Sequence, residues 1–217
     1  MTINIHNLWK NNRFLIIFIL LMVVFRTSVA DWNSVPTGSM KPTILEGDRI
    51  WVNKIAYDLN IPFTHISLKH FNDPKRNEII IFDSTIAKKR LVKRVIGIPG
   101  DTVRMENNVI FLNGKALEYK IIKQDKNKII AQEKSNTSAH NILLNLELTN
   151  RASSFESLTI PDKYYLVLGD NRNNSADSRF IGLIPRKEIV GRAKHVVMSL
   201  NYDNYYLPRT YRFFHKL

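Results

Sequence analysis

Cysteine is absent from this 217-residue chain, and acidic residues are scarce. The lack of cysteine excludes disulfide bonds, thiolate catalysis and metal sites with cysteine ligands. Only 19 acidic residues stand against 32 basic ones, which gives a formal net charge of +13. Such an excess fits nucleic acid, anionic lipid or a solvated surface without a special partner. No zinc-finger spacing and no helical pair with one basic face is present, so the sequence disfavours a nucleic-acid partner.

Glycine and proline are also sparse, with 8 of each, while 44% of the residues are hydrophobic. This composition is typical of globular proteins and excludes a fibrous or a largely disordered chain. The length allows one ordinary domain, or one domain that carries a small insertion.

Long hydrophobic runs are missing as well, and the longest uninterrupted one covers residues 14–25. A bilayer span needs about 20 residues, so this run is short unless it extends to Ala30. With that extension the sequence predicts a cytoplasmic segment over 1–13 and a transmembrane anchor over 14–30. The alternative is a cleavable signal peptide, because residues 28–30 end in the small-residue pattern of a cleavage site. Both interpretations place the rest of the chain across the membrane.

The remainder of the chain has the periodicity of strands and not of helices. Short alternating or β-branched runs predict strands at 49–54, 78–82, 90–98, 109–112, 164–168 and 189–198. Asn113-Gly114 indicates a hairpin turn, because both residues readily adopt positive φ angles. The sequence therefore predicts an all-β fold of mostly antiparallel sheets, preceded by one transmembrane helix. The predicted catalytic β domain covers 31–113 and 158–217, and a small β-rich insertion covers 114–157.

The first segment with catalytic potential is 34–43, where Ser39 follows Gly38 between Pro36 and Pro42. Glycine permits unusual φ angles and each proline fixes φ, so the loop is rigid and can present a hydroxyl. Taken alone, a cluster of Ser, Thr, Gly and Pro is most often a plain turn.

The second segment, 93–101, begins with Lys93 inside an apolar strand. A lysine on a strand usually faces solvent at an edge. If Lys93 is buried instead, desolvation disfavours its ammonium form and lowers its pKa. A neutral lysine amine can then act as the general base for a serine.

The third segment, 169–179, is a dense polar run directly after the strand at 164–168. Such a run is an ordinary surface loop in most proteins. Its alternative role is a hydrogen-bonded support that fixes a catalytic side chain.

Together with residues 47–54, these segments resemble the ordered sequence motifs of bacterial type I signal peptidases, also called leader peptidases. The resemblance extends from residue 14 to about residue 192 and leaves 114–157 unmatched in detail. One motif alone is moderately specific, whereas four in the right order are strongly specific.

The resemblance implies a role for each matching position. Ser39 is the nucleophile, Lys93 the general base, and Thr37 joins the Ser39 backbone N–H in the oxyanion hole. Ser175 orients the base, and Asp177 with Arg179 forms a supporting ion pair. Two shallow pockets that accept small residues one and three before the cut are lined by Val35, Pro36, Met40, Ile44, Leu91 and Val92.

Two positions depart from the family pattern. Thr37 stands where the family has serine, and its extra methyl group limits rotation of the hydroxyl. Asn173 stands where the family commonly has aspartate, which removes one negative charge from the third segment.

The resemblance also implies partners and a location. The substrates are preproteins that carry signal peptides, the second partner is the phospholipid membrane, and neither a metal nor another cofactor is required. The enzyme is anchored in the bacterial inner membrane with its catalytic domain on the outer side. Tethering raises its concentration near the cut site, which favours a retained anchor over cleavage after Ala30. The aromatic and basic tail over 202–217 either lies at the lipid headgroups or packs on the sheet.

Other functions remain open on the sequence. A peptidase dedicated to one pilin or conjugation component would use the same chemistry, and a membrane-tethered basic binding module would use none. A Ser-His-Asp hydrolase is disfavoured because none of the 6 histidines lies in a recognisable motif. A self-cleaving repressor is disfavoured by the apolar segment at 14–25. The sequence does not define the oligomeric state or the range of substrates.

Overall fold

The structure is a computed structural model. It describes residues 5–64, 66–135, 138–147 and 152–217, with side chains from residue 12 onward. Residues 1–4 of the predicted cytoplasmic segment therefore lie outside the described part, as do 136–137 and 148–151 of the predicted insertion.

An N-terminal helix precedes a chain made largely of strands. The helices are α1 (Ile5–Ser28) and the short α2 (Ser178–Ile181). In chain order the strands are β1 (Ala30–Ser34), β2 (Asp48–Asn53), β3 (Asp58–Asn60), β4 (Ser67–His70), β5 (Ile79–Ser84), β6 (Lys89–Gly97), β7 (Thr102–Glu106), β8 (Val109–Leu112), β9 (Lys115–Ala116), β10 (Glu118–Gln124), β11 (Lys128–Lys134), β12 (Ala139–Asn145), β13 (Phe155–Thr159), β14 (Tyr164–Leu168), β15 (Ile184–Pro185), β16 (Ile189–Asn201) and β17 (Leu207–Pro208). The prediction of a mostly antiparallel β fold is confirmed, since every pair of named strands is antiparallel.

The largest sheet has eight strands and carries the candidate site. Its order is β1-β2-β16-β5-β6-β14-β15, with β17 on β16. β5 lies at its centre and is buried on both faces, since its alternate side chains enter two different cores. Ile79 and Ile81 pack with Met40 and Ile44, whereas Ile80 and Phe82 pack with the opposite cluster. A central strand without an exposed face explains the continuous β-branched run in its sequence.

Two smaller sheets lie in the second half of the fold. The four-stranded sheet has the order β13-β7-β8-β9, and the three-stranded sheet has the order β10-β11-β12. The turn between β8 and β9 has φ values of 52° at Asn113 and 81° at Gly114, as the hairpin prediction requires. The three-stranded sheet lies entirely between residues 114 and 157.

Helix α1 covers most of the predicted anchor but begins earlier and ends two residues sooner. Most side chains of 14–25 are exposed, with Phe14 at 76%. Among the described residues, no helix combines the length and the apolar character needed to cross a bilayer. Ala30 belongs to β1, pairs with Asn53 and is buried.

The C-terminal tail combines one buried cation with exposed aromatic rings. Arg212 is buried and donates to both carboxylate oxygens of Asp48, at 3.0 and 2.6 Å. Tyr205, Tyr211 and Phe214 are 92%, 75% and 76% exposed. The tail is thus fixed to the main sheet by this ion pair and by backbone pairing with β16, and not by burial of these rings.

Candidate active site

Ser39 lies in a single 3₁₀ turn, Gly38–Met40, that follows β1. Its neighbours Gly38 and Met40 are buried, while Ser39 itself is partly exposed. Met40 is 1% exposed and packs in the core beside Ile44, so the loop is anchored directly behind the serine. The rigid, hydroxyl-presenting loop expected from the sequence is therefore present.

Lys93 comes from the middle of β6, where it pairs with Ile80 of the central strand. It is 2% exposed, and its Nζ lies 2.6 Å from Ser39 Oγ. Burial lowers the pKa of the Lys93 ammonium from 10.5 to about 8, although the carboxylates of Asp177 and Asp170 partly oppose the shift. The sequence alternatives for this lysine were solvent and interior, and the structure places it in the interior.

Asn171 connects the third polar segment to the serine loop. Its backbone N–H donates to Ser39 O and its Nδ2 donates to Gly38 O, both at 3.0 Å. Gly169 allows the close approach of these segments, since a Cβ there would lie 2.5 Å from Ser39 O. Asn171 was not predicted from the sequence, because only its position in the fold shows that it contacts the loop.

Asp177 and Arg179 form a buried pair with two hydrogen bonds. Arg179 Nε and Nη2 each donate to Asp177 at 2.8 Å, and Gly169 N donates to Asp177 Oδ2 at 3.0 Å. Arg179 Nη2 also donates to the carbonyl of Arg172 at 2.6 Å. The pair therefore shapes the backbone of the polar segment at both ends.

Ser175 is buried beside the same glycine. A Cβ on Gly169 would lie 2.2 Å from Ser175 Oγ, which places this hydroxyl on the Ser39 side of the segment. Within the described part of the chain Ser175 Oγ has no hydrogen-bond partner. The Oδ1 atom of Asn173, the second position that departs from the family pattern, is likewise buried and unpartnered among those residues.

A further buried ion pair was missed in the sequence. Arg94 Nε and Nη2 donate to Asp170 at 2.8 and 2.7 Å, and Thr43 Oγ1 donates to the same carboxylate at 2.5 Å. Removing one partner of such a pair typically costs about 3–5 kcal/mol, because an uncompensated charge stays buried. The sequence shows an arginine inside an apolar strand and an aspartate directly after another strand, but nothing in it pairs the two, which lie 76 residues apart.

A cleft of about 480 Å³ opens in front of Ser39 and Lys93. Of the six side chains expected to form substrate pockets, five line this cleft, and they are Val35, Pro36, Met40, Leu91 and Val92. The sixth, Ile44, is 0% exposed and lies in the core behind Met40. Thr37 is exposed on the rim. Lining residues that the sequence analysis did not name are Asn33, Ser34, Lys89, Arg90, Asn174 and Ala176.

The arrangement has the parts of a serine hydrolase. A hydroxyl lies within hydrogen-bond distance of an amine whose pKa is lowered to about 8, and both open into a cleft that is lined by apolar and by polar side chains. A serine needs such a base to become nucleophilic.

Several known proteins are similar to this chain in sequence. The family model of signal peptidase, peptidase S26, matches residues 8–198. The chain is 35% identical to a probable signal peptidase I-2 of Synechocystis sp. over 181 residues, which are 81% of this chain and 66% of that protein. It is 34% identical to signal peptidase I of Pseudomonas aeruginosa over 203 residues, or 86% of this chain and 70% of that protein. With signal peptidase I P of Bacillus subtilis subsp. natto it shares 34% identity over 188 residues, or 86% and 87% of the two chains.

Among solved structures, a signal peptidase I from Enterococcus faecalis V583 is similar, with 31% sequence identity and a TM-score of 0.38. The match covers 56% of this chain and 97% of that structure.

Proposed function

This chain belongs to the signal peptidase family, peptidase S26, and from that premise we propose that it removes N-terminal leader peptides from exported preproteins. Family membership indicates a serine endopeptidase. The observation that carries the proposal is the 2.6 Å separation of Lys93 Nζ and Ser39 Oγ in the lining of a cleft that also contains apolar side chains.

In the proposed reaction neutral Lys93 accepts the Ser39 proton while Ser39 Oγ attacks the scissile carbonyl carbon. The tetrahedral intermediate collapses when the C–N bond breaks, and the Lys93 ammonium gives its proton to the leaving amine. The leader peptide then remains as an ester on Ser39. Lys93, neutral again, takes a proton from water, which attacks the ester carbonyl. The Lys93 ammonium then returns a proton to Ser39 Oγ as the ester C–O bond breaks, and the leader leaves with a free carboxylate.

The developing negative charge on the carbonyl oxygen needs donors placed beforehand. We assign this role to the Ser39 backbone N–H and the Thr37 hydroxyl. Ser39 lies at the start of a 3₁₀ turn, where the first amides lack partners within the helix. Thr37 precedes that turn, and its side chain makes no capping hydrogen bond to it. Its hydroxyl is thus available to an oxyanion in the cleft.

The walls of the cleft support a preference for small, uncharged residues one and three positions before the cut. Its predicted apolar lining comes from two parts of the chain, with Val35, Pro36 and Met40 close to Ser39 in sequence and Leu91 and Val92 directly before Lys93. Ile44 contributes from behind by packing against Met40. Large or charged substrate side chains would displace packed atoms or lose hydration, both of which are costly.

Three residues of the third segment are assigned supporting roles. Ser175 Oγ is the candidate acceptor for the Lys93 ammonium that forms during the reaction, and Asp177 with Arg179 holds the segment in place. Asp177 also lies close enough to Lys93 for its charge to raise the pKa of the amine. Asn173 stands where the family commonly has aspartate and would add no such charge, which helps to keep the pKa of Lys93 low.

We further propose that helix α1 anchors the enzyme in the inner membrane by a single pass, with the β domain outside the cytoplasm. The exposed apolar side chains of 14–25 support this role. Ala30 is buried in β1 and paired with Asn53, so cleavage after it would require the edge of the main sheet to open. Retention of the helix therefore fits the fold better than removal.

A direct test is incubation of the detergent-purified full chain with a peptide that spans an Ala-x-Ala leader junction. We expect a single cut after the second alanine, identified by mass spectrometry. A second peptide with leucine in place of that alanine is the matched control and should resist cleavage. A folded wild-type chain that leaves both peptides intact would exclude the proposal and favour a dedicated processing peptidase or a binding module.

The pH dependence of kcat/KM should report the titration of Lys93. Because the neutral amine is the base and its pKa is about 8, kcat/KM should rise about tenfold per pH unit below pH 8 and level off above it. Lys89 lowers the pKa of Lys93 by charge repulsion, so Lys89→Gln should move the rising limb to higher pH by less than about one unit. Lys88→Asn, at an exposed turn position with φ of 52°, is the matched control. A limb centred near pH 6.5 would indicate a histidine base instead.

A further inference from the structure

The three-stranded sheet packs directly against the third polar segment, 169–179, which in turn contacts the serine loop. Leu143 N, in β12, donates to Asp170 O at 2.8 Å, and Leu143 forms a parallel bridge with Asn171. Asn171 in turn donates to the carbonyls of Gly38 and Ser39. A continuous path of hydrogen bonds thus runs from β12 to the catalytic serine.

One buried ion pair fixes the same sheet to the next residue of the segment. Glu133 of β11 is 1% exposed, and its Oε1 accepts a hydrogen bond from Arg172 Nη2 at 2.7 Å. Tyr119 of β10 donates to the other carboxylate oxygen at 2.7 Å. Burial raises the pKa of Glu133, but the charge and hydrogen bond of Arg172 outweigh it and hold the pKa below its usual range. Both partners are therefore charged at neutral pH.

Arg172 depends on this one carboxylate. Its side chain is fully buried, and its Nε and Nη1 atoms have no hydrogen-bond partner among the residues that the structure describes. His140 does not compete with Arg172 for Glu133 as a second cation. Its Nε2 lies 3.4 Å from Glu133 Oε1, but burial and the charge of Arg94 lower its pKa to about 4, so the ring is neutral. Without Glu133 the guanidinium would have to leave its site.

Stability alone does not account for such a pair. A buried ion pair pays a large desolvation cost, and apolar residues of similar volume often stabilise a fold equally well or better. What the pair supplies is a fixed position for the backbone of Arg172, which also accepts the hydrogen bond from Arg179. Asn171 lies between this fixed residue and Asp170, whose carbonyl is held by Leu143.

We propose that Glu133 is a positioning residue for catalysis: through Arg172 and Asn171 it sets the distance between Ser39 and Lys93. This inference rests on the proposed peptidase function. It gives the three-stranded sheet a role in the reaction although none of the cleft-lining residues belongs to that sheet.

The test compares Glu133→Ala and Glu133→Gln with Glu118→Gln in cleavage of the Ala-x-Ala peptide. Glu118 lies in β10 of the same sheet, but its side chain is 79% exposed, so it is a matched control. Misplacement by about 1 Å can cost about 100-fold in rate, and we expect Glu133→Ala to lower kcat by about that factor. KM should stay within about twofold, because the cleft is not altered. Glu133→Gln keeps an acceptor for Arg172 and should lose less, and Glu118→Gln should match the wild type.

Each kinetic value is taken at a temperature where circular dichroism shows the variant to be folded. If Glu133→Ala does not fold, Glu133→Gln provides the kcat and KM comparison. An independent measurement is hydrogen exchange of the Asn171 amide, which is bonded to Ser39 O and should exchange faster in both Glu133 variants than in Glu118→Gln. A wild type that does not cleave would refute the proposed function. The positioning role would be refuted if the wild type cleaves the peptide and the Glu133 variants have the same kcat as the wild type. It would also be refuted if the variants raise KM alone.

Discussion

Replacing Ser39 with alanine is expected to lower kcat for the leader junction by about four orders of magnitude or more. Ser39 Oγ is the proposed attacking atom, and its partner Lys93 cannot form the acyl intermediate on its own. Nucleophile and base act as a unit, so the loss of either removes nearly all the catalysis that the pair provides. The measurement is single-turnover cleavage of the Ala-x-Ala peptide with enzyme in excess, followed by mass spectrometry.

Ser157→Ala is the matched control for this variant. Ser157 is an exposed serine of β13, and its substitution should leave kcat unchanged. Ser39 is partly exposed, and within the described ranges Lys93 is the one hydrogen-bond partner of its side chain, so the alanine variant should also keep the wild-type melting temperature within a few degrees. Activity of Ser39→Ala above about a tenth of the wild-type value would mean that another group attacks the substrate.

Replacing Lys93 with methionine is expected to abolish cleavage to a similar extent without destabilising the fold. Methionine has about the same side-chain volume as lysine, and its burial in an apolar site is favourable, whereas burial of an amine requires its desolvation. We therefore expect kcat to fall by about four orders of magnitude while the free energy of unfolding stays the same or rises slightly. Urea unfolding and the peptide assay, on the same sample, measure the two effects together.

Lys194→Met provides the comparison for Lys93→Met. Lys194 is an exposed lysine on β16, so its replacement removes one positive charge without touching the cleft. It should retain wild-type kcat. A Lys93→Met enzyme that stays active at high pH would show that hydroxide or another side chain accepts the serine proton. That result would contradict the proposed role of Lys93 as the general base.

Much of the strand content was predictable from short-range pattern. The runs at 109–112 and 164–168 coincide with β8 and β14, and the other predicted strands differ by only a few residues at their ends. The hairpin turn at Asn113-Gly114 was predictable because both residues tolerate positive φ angles. Strands such as β1 and β7 were missed, because a strand in mixed polar sequence acquires its partner only through the fold.

Candidate site residues were predictable as types but not as an arrangement. A serine after glycine also occurs in an ordinary turn, and a lysine in an apolar strand also occurs at a sheet edge. A dense polar run is most often a surface loop. Arg94 with Asp170, and Glu133 with Arg172, carried no pairing signal, since 76 and 39 residues separate the partners. Asn171 could not be told from its neighbours by composition.

The sequence by itself determined the strand periodicity, the hairpin at Asn113-Gly114 and the serine between Gly38 and two prolines, because each of these depends on a few consecutive residues. It also gave the order of the motifs along the chain. Only the tertiary structure decided that Lys93 is buried, with a pKa of about 8, at 2.6 Å from Ser39. That pKa follows from how much water and which charges surround the amine, and those neighbours come from distant strands and loops. The three-stranded sheet likewise became relevant to Ser39 only when folding brought Leu143 and Glu133 against residues 170–172.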